Sequence, residues 1–142
     1  MTEPNEDLRD DDLRIAVMRL SRRIRLERAT DDVRDGQLSV LFVLLKEGPQ
    51  TLGSLSEHER VSPPSMNRTV NALVESGLVV RDTAPDDGRK VLIQHTDAGA
   101  EVVRETKRRR EAWFNRQLAT LDAAERAALD AAAPILKRLA DS

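Results

Sequence analysis

Between residues 51 and 95 the chain is punctuated so closely that only short elements fit: "TLGSLSEHERVSPPSMNRTVNALVESGLVVRDTAPDDGRKVLIQH". Thr51 has the side-chain oxygen an N-cap needs, and it precedes a short helix with Leu52 and Leu55 facing inward. Ser62 caps the next helix, and Pro63 sits in its first turn, where a missing N–H forfeits no intrahelical bond. Met66, Val70, Leu73 and Val74 recur at helical spacing and predict one buried face. Gly77 stands where a helix-ending left-handed residue belongs. The β-branched runs "LVVRD" (78–82) and "KVLIQH" (90–95) flank Asp87-Gly88, a hairpin-turn signal. Two short helices in tight succession followed by a hairpin predict a winged helix-turn-helix.

Long helices flank this module. Leu13, Val17, Leu20 and Ile24 recur at helical spacing and predict a narrow-striped amphipathic helix over 8–28. Gly36 is expected to break the chain, and "QLSVLFVLLKEG" (37–48), apolar nearly all round, predicts a buried central helix ending at Gly48-Pro49. Thr96 is expected to cap a helix running from Asp97 to about Leu118, with Val103 and Trp113 or Phe114 inward. Asp122 and Glu125 have capping-box spacing at the head of a final Ala-rich helix. Pro134 falls inside that helix, where it costs around 3 kcal/mol or imposes a kink.

The predicted fold class is therefore mainly α with a small β-hairpin wing: a winged helix-turn-helix core flanked by N- and C-terminal dimerisation helices. All of 1–142 is read as one domain, with a DNA-binding lobe over 37–95 and a helical dimerisation region over 8–34 and 97–140. A small central module cannot cover the apolar stripes of the end helices. They need each other or a second copy of the chain.

Composition excludes several function classes. There is no cysteine, so disulfide frameworks, thiolate metal sites and redox-sensing thiols are ruled out. With two Phe, one Trp and no Tyr, the core has to be aliphatic. The acidic N-terminus lacks the apolar region of a signal peptide. The longest apolar run, "VLFVLL" (40–45), is far short of the roughly 20 residues a membrane span needs, so a soluble, cytoplasmic protein is expected. The net charge of −2 conceals segregation. Six acids against Arg9 give residues 1–12 a net of −5, residues 13–28 carry +5 and residues 104–116 carry +4. Such runs are either solvated helix faces or an electrostatic footprint for a polyanion.

The second short helix carries the main chemical signal. A helix that reads DNA buries one face and offers short hydrogen-bonding side chains and an arginine on the other. Ser65, Asn67, Arg68, Thr69 and Asn71 form such a face. An arginine there reaches guanine O6/N7 and an asparagine adenine N6/N7, while Ser62 and the first-turn N–H groups suit a phosphate. In "PDDGRKV" (85–91) two adjacent aspartates in one solvated turn do not form the split-pKa pair that acid–base catalysis requires. His58 and His95 lack metal-ligand spacing, so no catalytic residue, metal or cofactor is expected. The stretch is either a plain turn or a wing. As a wing, Arg89 enters a minor groove, Asp87 orients it, and Lys90 contacts a phosphate.

The run 51–99 resembles the MarR family of bacterial transcriptional regulators. The family's wing pattern, Asp-x-Arg, then a short strand and Thr-x-x-Gly, is matched by Asp87, Arg89, Thr96 and Gly99. "VSPPSMNRTVNALVESGLVVR" is similar to its recognition helix and the Gly-Leu that follows, through Gly77 and Leu78, and a looser likeness extends from about residue 13 to 140. The resemblance implies an obligate homodimer on pseudo-palindromic double-stranded DNA, a repressor released by a small aromatic or phenolic effector. In the family the effector pocket lies where the dimerisation helices meet the DNA-binding lobe. Phe42, Trp113 and Phe114 are the candidates to line it, and each also reads as a core or interface residue. Pro64, Thr69 and His95 stand where Ser, Leu and Leu are more typical, so base preference does not transfer. The absence of cysteine removes the peroxide-sensing branch. The competing expectation is a protein-interaction or adaptor domain on the same scaffold, because residues 51–95 hold five cations against six acids.

Overall fold

The computed structural model describes the backbone of residues 4–84 and 86–142, and the side chains of residues 9–84, 86 and 88–142. The elements are α1 (Pro4–Leu26), α2 (Asp35–Glu47), α3 (Leu52–Glu59), α4 (Pro63–Glu75), β1 (Val79–Ala84), β2 (Asp87–His95), α5 (Asp97–Leu118) and α6 (Ala123–Ala140). This is a winged helix-turn-helix with long flanking helices. None of the described helices is long and apolar enough to cross a membrane. The chain divides into two compact units: residues 25–109, and residues 1–24 with 110–142.

In the first unit the core is aliphatic. Leu38, Leu41 and Leu44 of α2 pack with Leu55 of α3, Met66, Val70 and Leu73 of α4, Val79 and Ile93 of the strands, and Val103 of α5. Val74, expected on the buried face of α4, is exposed instead. Met66, Val70 and Leu73 already form a complete stripe, and the next residue turns about 100° away from Leu73. Gly36 does not break the chain, because it lies within the first turn of α2. First-turn N–H groups have no intrahelical partner, so glycine's poor propensity matters little there. The Arg34 N–H donates to Gln37 Oε1 at 3.1 Å, which fixes the N-cap two residues before the glycine.

Side-chain caps set the helix-turn-helix. The Ser54 N–H donates to Thr51 Oγ1 (3.1 Å), and the Ser65 N–H donates to Ser62 Oγ (3.3 Å). Between the helices Arg60 adopts a left-handed conformation (φ 56°), so the connection to α4 needs only Arg60, Val61 and Ser62. The Ser39 hydroxyl donates to the Glu59 carboxylate at 2.7 Å, tying α2 to α3. The end of α4 is a Schellman turn. The Leu78 N–H donates to Leu73 O (2.9 Å) and the Gly77 N–H to Val74 O (3.0 Å), with Gly77 at φ 75°.

The hairpin is longer than expected. Val79 faces His95, and the ladder runs to Thr83 opposite Val91; Ala84 then faces Asp87. Asp87-Gly88 is therefore not the turn itself. It opens β2, and Gly88, Arg89 and Lys90 form a bulge just inside the tip. Pro85 and the Asp87 side chain lie outside the described residues. A third short edge escaped periodicity altogether: Gln50 exchanges both backbone hydrogen bonds with Ile93 (3.0 and 2.7 Å).

Thr96 joins these parts. Its hydroxyl donates to Gly77 O (2.7 Å) and accepts the Gly99 N–H (3.1 Å), while its own N–H donates to Leu78 O (3.0 Å). At Gly99 the first turn of α5 passes so near Leu78 that a Cβ would overlap the Leu78 carbonyl oxygen. Farther along α5, Glu105 accepts from Arg108 and Arg109 (2.6 and 2.9 Å). Its hydrogen bonds to Arg108 and then to Arg109 hold the carboxyl down to about 2.

The second unit holds the outer part of α1, the end of α5, and α6. Asp122 and Glu125 form a reciprocal capping box (2.7 and 3.1 Å). α6 continues through Pro134, and none of its residues is buried. Leu13, Val17 and Met18 with Leu136 and Leu139 line an open apolar cleft of ≈ 620 Å³. Leu13 and Leu139 are each 61% exposed.

Two outcomes are expected. Gly99→Ala should destabilise the fold by about 1–3 kcal/mol, because the obstacle is backbone and cannot swing aside. Urea unfolding measures this, and an unchanged midpoint would contradict it. Glu105 has a lowered folded pKa, so its contribution is full above 4.5 and disappears as pH falls towards 2. The gap in unfolding midpoint between wild type and Glu105→Gln should narrow across that window. A constant gap would show that the arginine hydrogen bonds contribute nothing.

Candidate nucleic-acid interface

With Met66, Val70 and Leu73 buried, α4 turns its polar residues outward. Asn67, Arg68 and Asn71 are exposed, and Ser65 and Thr69 are half-buried. These residues form two groups. On one side the Arg68 Nη2 donates to Ser65 Oγ (3.1 Å), and the Thr69 hydroxyl donates back to Ser65 O (3.2 Å). This side faces a cleft of ≈ 560 Å³ lined by Arg68, Thr69 and Ala72 with Arg34, the N-cap of α2, and Gly36 and Gln37 of its first turn. On the other side Asn67 and Asn71, one helical turn apart, both accept from Arg81 Nη2, at 3.2 and 2.7 Å.

Arg81 is the residue that reading the sequence missed. In a strand, residues two apart share a face. Val79 is buried in the core beneath α4, so Arg81 emerges on the same face just past the core edge. The available signal was the coincidence of two asparagines at i, i+4 with a cation two residues after a core strand position. It becomes decisive only once β1 is known to lie along α4.

Ser62 is committed to capping α4, so its hydroxyl serves helix geometry first. Gly88, Arg89 and Lys90 are exposed on the wing bulge. The aromatic candidates are distributed between the units. Phe42, partly buried on α2, has Lys107 Nζ 5.5 Å from its ring centroid. Trp113 and Phe114, both half-buried, have centroids 6.4 Å apart, and the Arg23 guanidinium lies 4.5 Å from the Trp113 ring.

The basic segments are partly engaged within the chain. Arg104 pairs with Glu101, Arg108 and Arg109 with Glu105, and Arg28 with Asp35. Among the described residues there is no group of three or more His, Cys, Asp or Glu side chains placed to hold a metal ion. His95 directs Nδ1 at Thr96 O (3.1 Å), a backbone contact. What the site offers is a row of donors and acceptors on a rigid helix, beside an exposed, cation-bearing strand tip.

Comparison with known proteins agrees with this geometry. Residues 34–91 match the model of the MarR family. An HTH-type transcriptional regulator of Mycobacterium tuberculosis is 44% identical over 130 residues, covering 92% of this chain and 91% of that protein. The crystal structure of RV1404 from Mycobacterium tuberculosis superimposes with a TM-score of 0.86 at 26% identity, over 99% of this chain and 97% of the other. A MarR family protein from Bacillus stearothermophilus shares the fold with a TM-score of 0.81 at 22% identity, over 100% and 99% of the two chains.

Proposed function

We propose, because this chain belongs to the MarR family, that it is a homodimeric transcriptional regulator that recognises a pseudo-palindromic operator in double-stranded DNA. It acts in the cytoplasm as a repressor. α4 enters the major groove and the wing bulge reaches the adjacent minor groove. The observation that carries this reading is the outward face of α4, where Asn67, Arg68 and Asn71 are exposed on a helix whose other face is locked into the core. Arg68 contacts a guanine edge, Ser65 and Thr69 support it, and Ser62 with the first-turn N–H groups meets a phosphate. Arg89 enters the minor groove, Asp87 orients it, and Lys90 contacts a phosphate. Release by a small aromatic or phenolic effector completes the reading and rests on the family likeness.

The dimer is supported by the apolar residues that the second unit leaves uncovered on α1 and α6. An adaptor domain without base readout is the second reading, favoured by the slight acidic excess over 51–95. The two differ in salt dependence. Binding to phosphates releases counterions, so log affinity falls steeply with log salt.

Selection of bound sequences from a random duplex pool, followed by a salt series, is expected to yield a palindrome and a steep negative slope. Absence of binding above background at low salt would favour the adaptor. Arg68→Ala should relax choice at one or two base pairs by about 1–3 kcal/mol. Arg89→Ala should weaken binding and flatten any A·T preference beside the half-sites. If both variants bind like wild type, these residue assignments are wrong. Sedimentation at roughly micromolar concentration should show a dimer that Leu139→Glu dissociates, since a buried carboxylate at an apolar seam is heavily penalised. A wild-type monomer would remove the dimer from the proposal.

A further inference from the structure

The structure assigns Arg81 the role of a positioning residue that fixes which edge Asn67 and Asn71 present to DNA, an inference that rests on the reading of α4 given above. A guanidinium has donors only, so both side-chain amides must turn their oxygens towards it. Arg81 Nη2 meets Asn71 Oδ1 at 2.7 Å and Asn67 Oδ1 at 3.2 Å. With the oxygens held against β1, the two NH₂ groups point away from the strand. The amide flip that would exchange donor for acceptor is thereby suppressed at both positions.

This matters because an asparagine reads a base by the order in which it offers its oxygen and its nitrogen. In one orientation it pairs with adenine N6 and N7, and flipped it offers the wrong group to each atom. An exposed amide that flips freely discriminates poorly and loses more freedom on binding. One nitrogen holding both amides also sets their spacing along the helix. The wing strand thus contributes to base choice without touching a base.

The alternative role for an exposed arginine here is a phosphate contact, which has a different signature. It adds affinity uniformly across sequences, and its removal lowers the salt slope by about one. Positioning instead changes preference at the base pairs facing Asn67 and Asn71 and leaves the slope nearly unchanged.

The experiment compares wild type, Arg81→Ala, the Asn67→Ala/Asn71→Ala pair, and the triple variant. Two readouts are used: selection of bound duplexes with a salt series, and the side-chain amide NMR resonances of the DNA-free protein. Arg81→Ala is expected to shift the Asn67 and Asn71 amide resonances and to reduce discrimination at their base pairs by about tenfold. Adding it to the asparagine pair should change preference no further. Equal weakening on all sequences with a reduced slope overturns the proposal, as do unmoved amide resonances. A wild-type protein that binds DNA without base preference would defeat the reading of α4 itself. The amide resonances would still decide whether Arg81 holds the two side chains.

Discussion

The contact on which the rest of this molecule depends is the approach of α5 to the carbonyl of Leu78. That oxygen accepts the Thr96 N–H, and the Thr96 hydroxyl reaches back to the Gly77 carbonyl while capping the helix through Gly99. Within a few ångströms the end of α4, the entry to β1, the exit of β2 and the start of α5 share one set of hydrogen bonds. Only glycine fits at the closest point. The polar face of α4 is thus oriented by a junction at its far end, and the direction of β1 over α4 follows from it. Arg81 reaches two asparagines because that junction aims the strand.

Much of this was legible residue by residue. Thr51, Ser62, Thr96 and Asp122 were identified as caps because a short oxygen-bearing side chain before an apolar period has a local mechanism. Gly77 was identifiable for the same reason, since its left-handed backbone is a local requirement. Local reasoning failed where the deciding partner is distant or the signal is a single residue. Gly36 was misjudged because glycine marks a break in general but is tolerated in a first turn. Gln50 forms a one-residue bridge, too short for any periodicity. Asp87-Gly88 suggested a two-residue turn, whereas the ladder places it at the start of a bulged strand. The contacts of Arg81 span 10 and 14 residues and two elements, so no windowed pattern contains them.

Electrostatics show a similar gap between sequence and molecule. The basic stretch of α5 read either as a solvated helix face or as a footprint for a polyanion, and Glu101 and Glu105 engage several of its arginines within about one turn. Exposed pairs such as Arg104–Glu101 contribute little to stability. Their consequence is to hold the long side chains along the helix. The cations that define the candidate interface are few, and each is carried by an element whose direction the core sets.

The bulge at Gly88–Lys90 has a consequence for how this fold tolerates change. From Val79 to Thr83 the two strands keep an unbroken register against His95 to Val91, and the length mismatch is confined to the tip beyond them. A residue gained or lost there would alter the reach of the strand tip without shifting any core side chain to the opposite face of the sheet. The same event below Thr83 would invert the inward and outward alternation through Val79. Evolution can therefore lengthen, shorten or recharge the tip as an independent variable, while the ladder beneath it is closed to insertion.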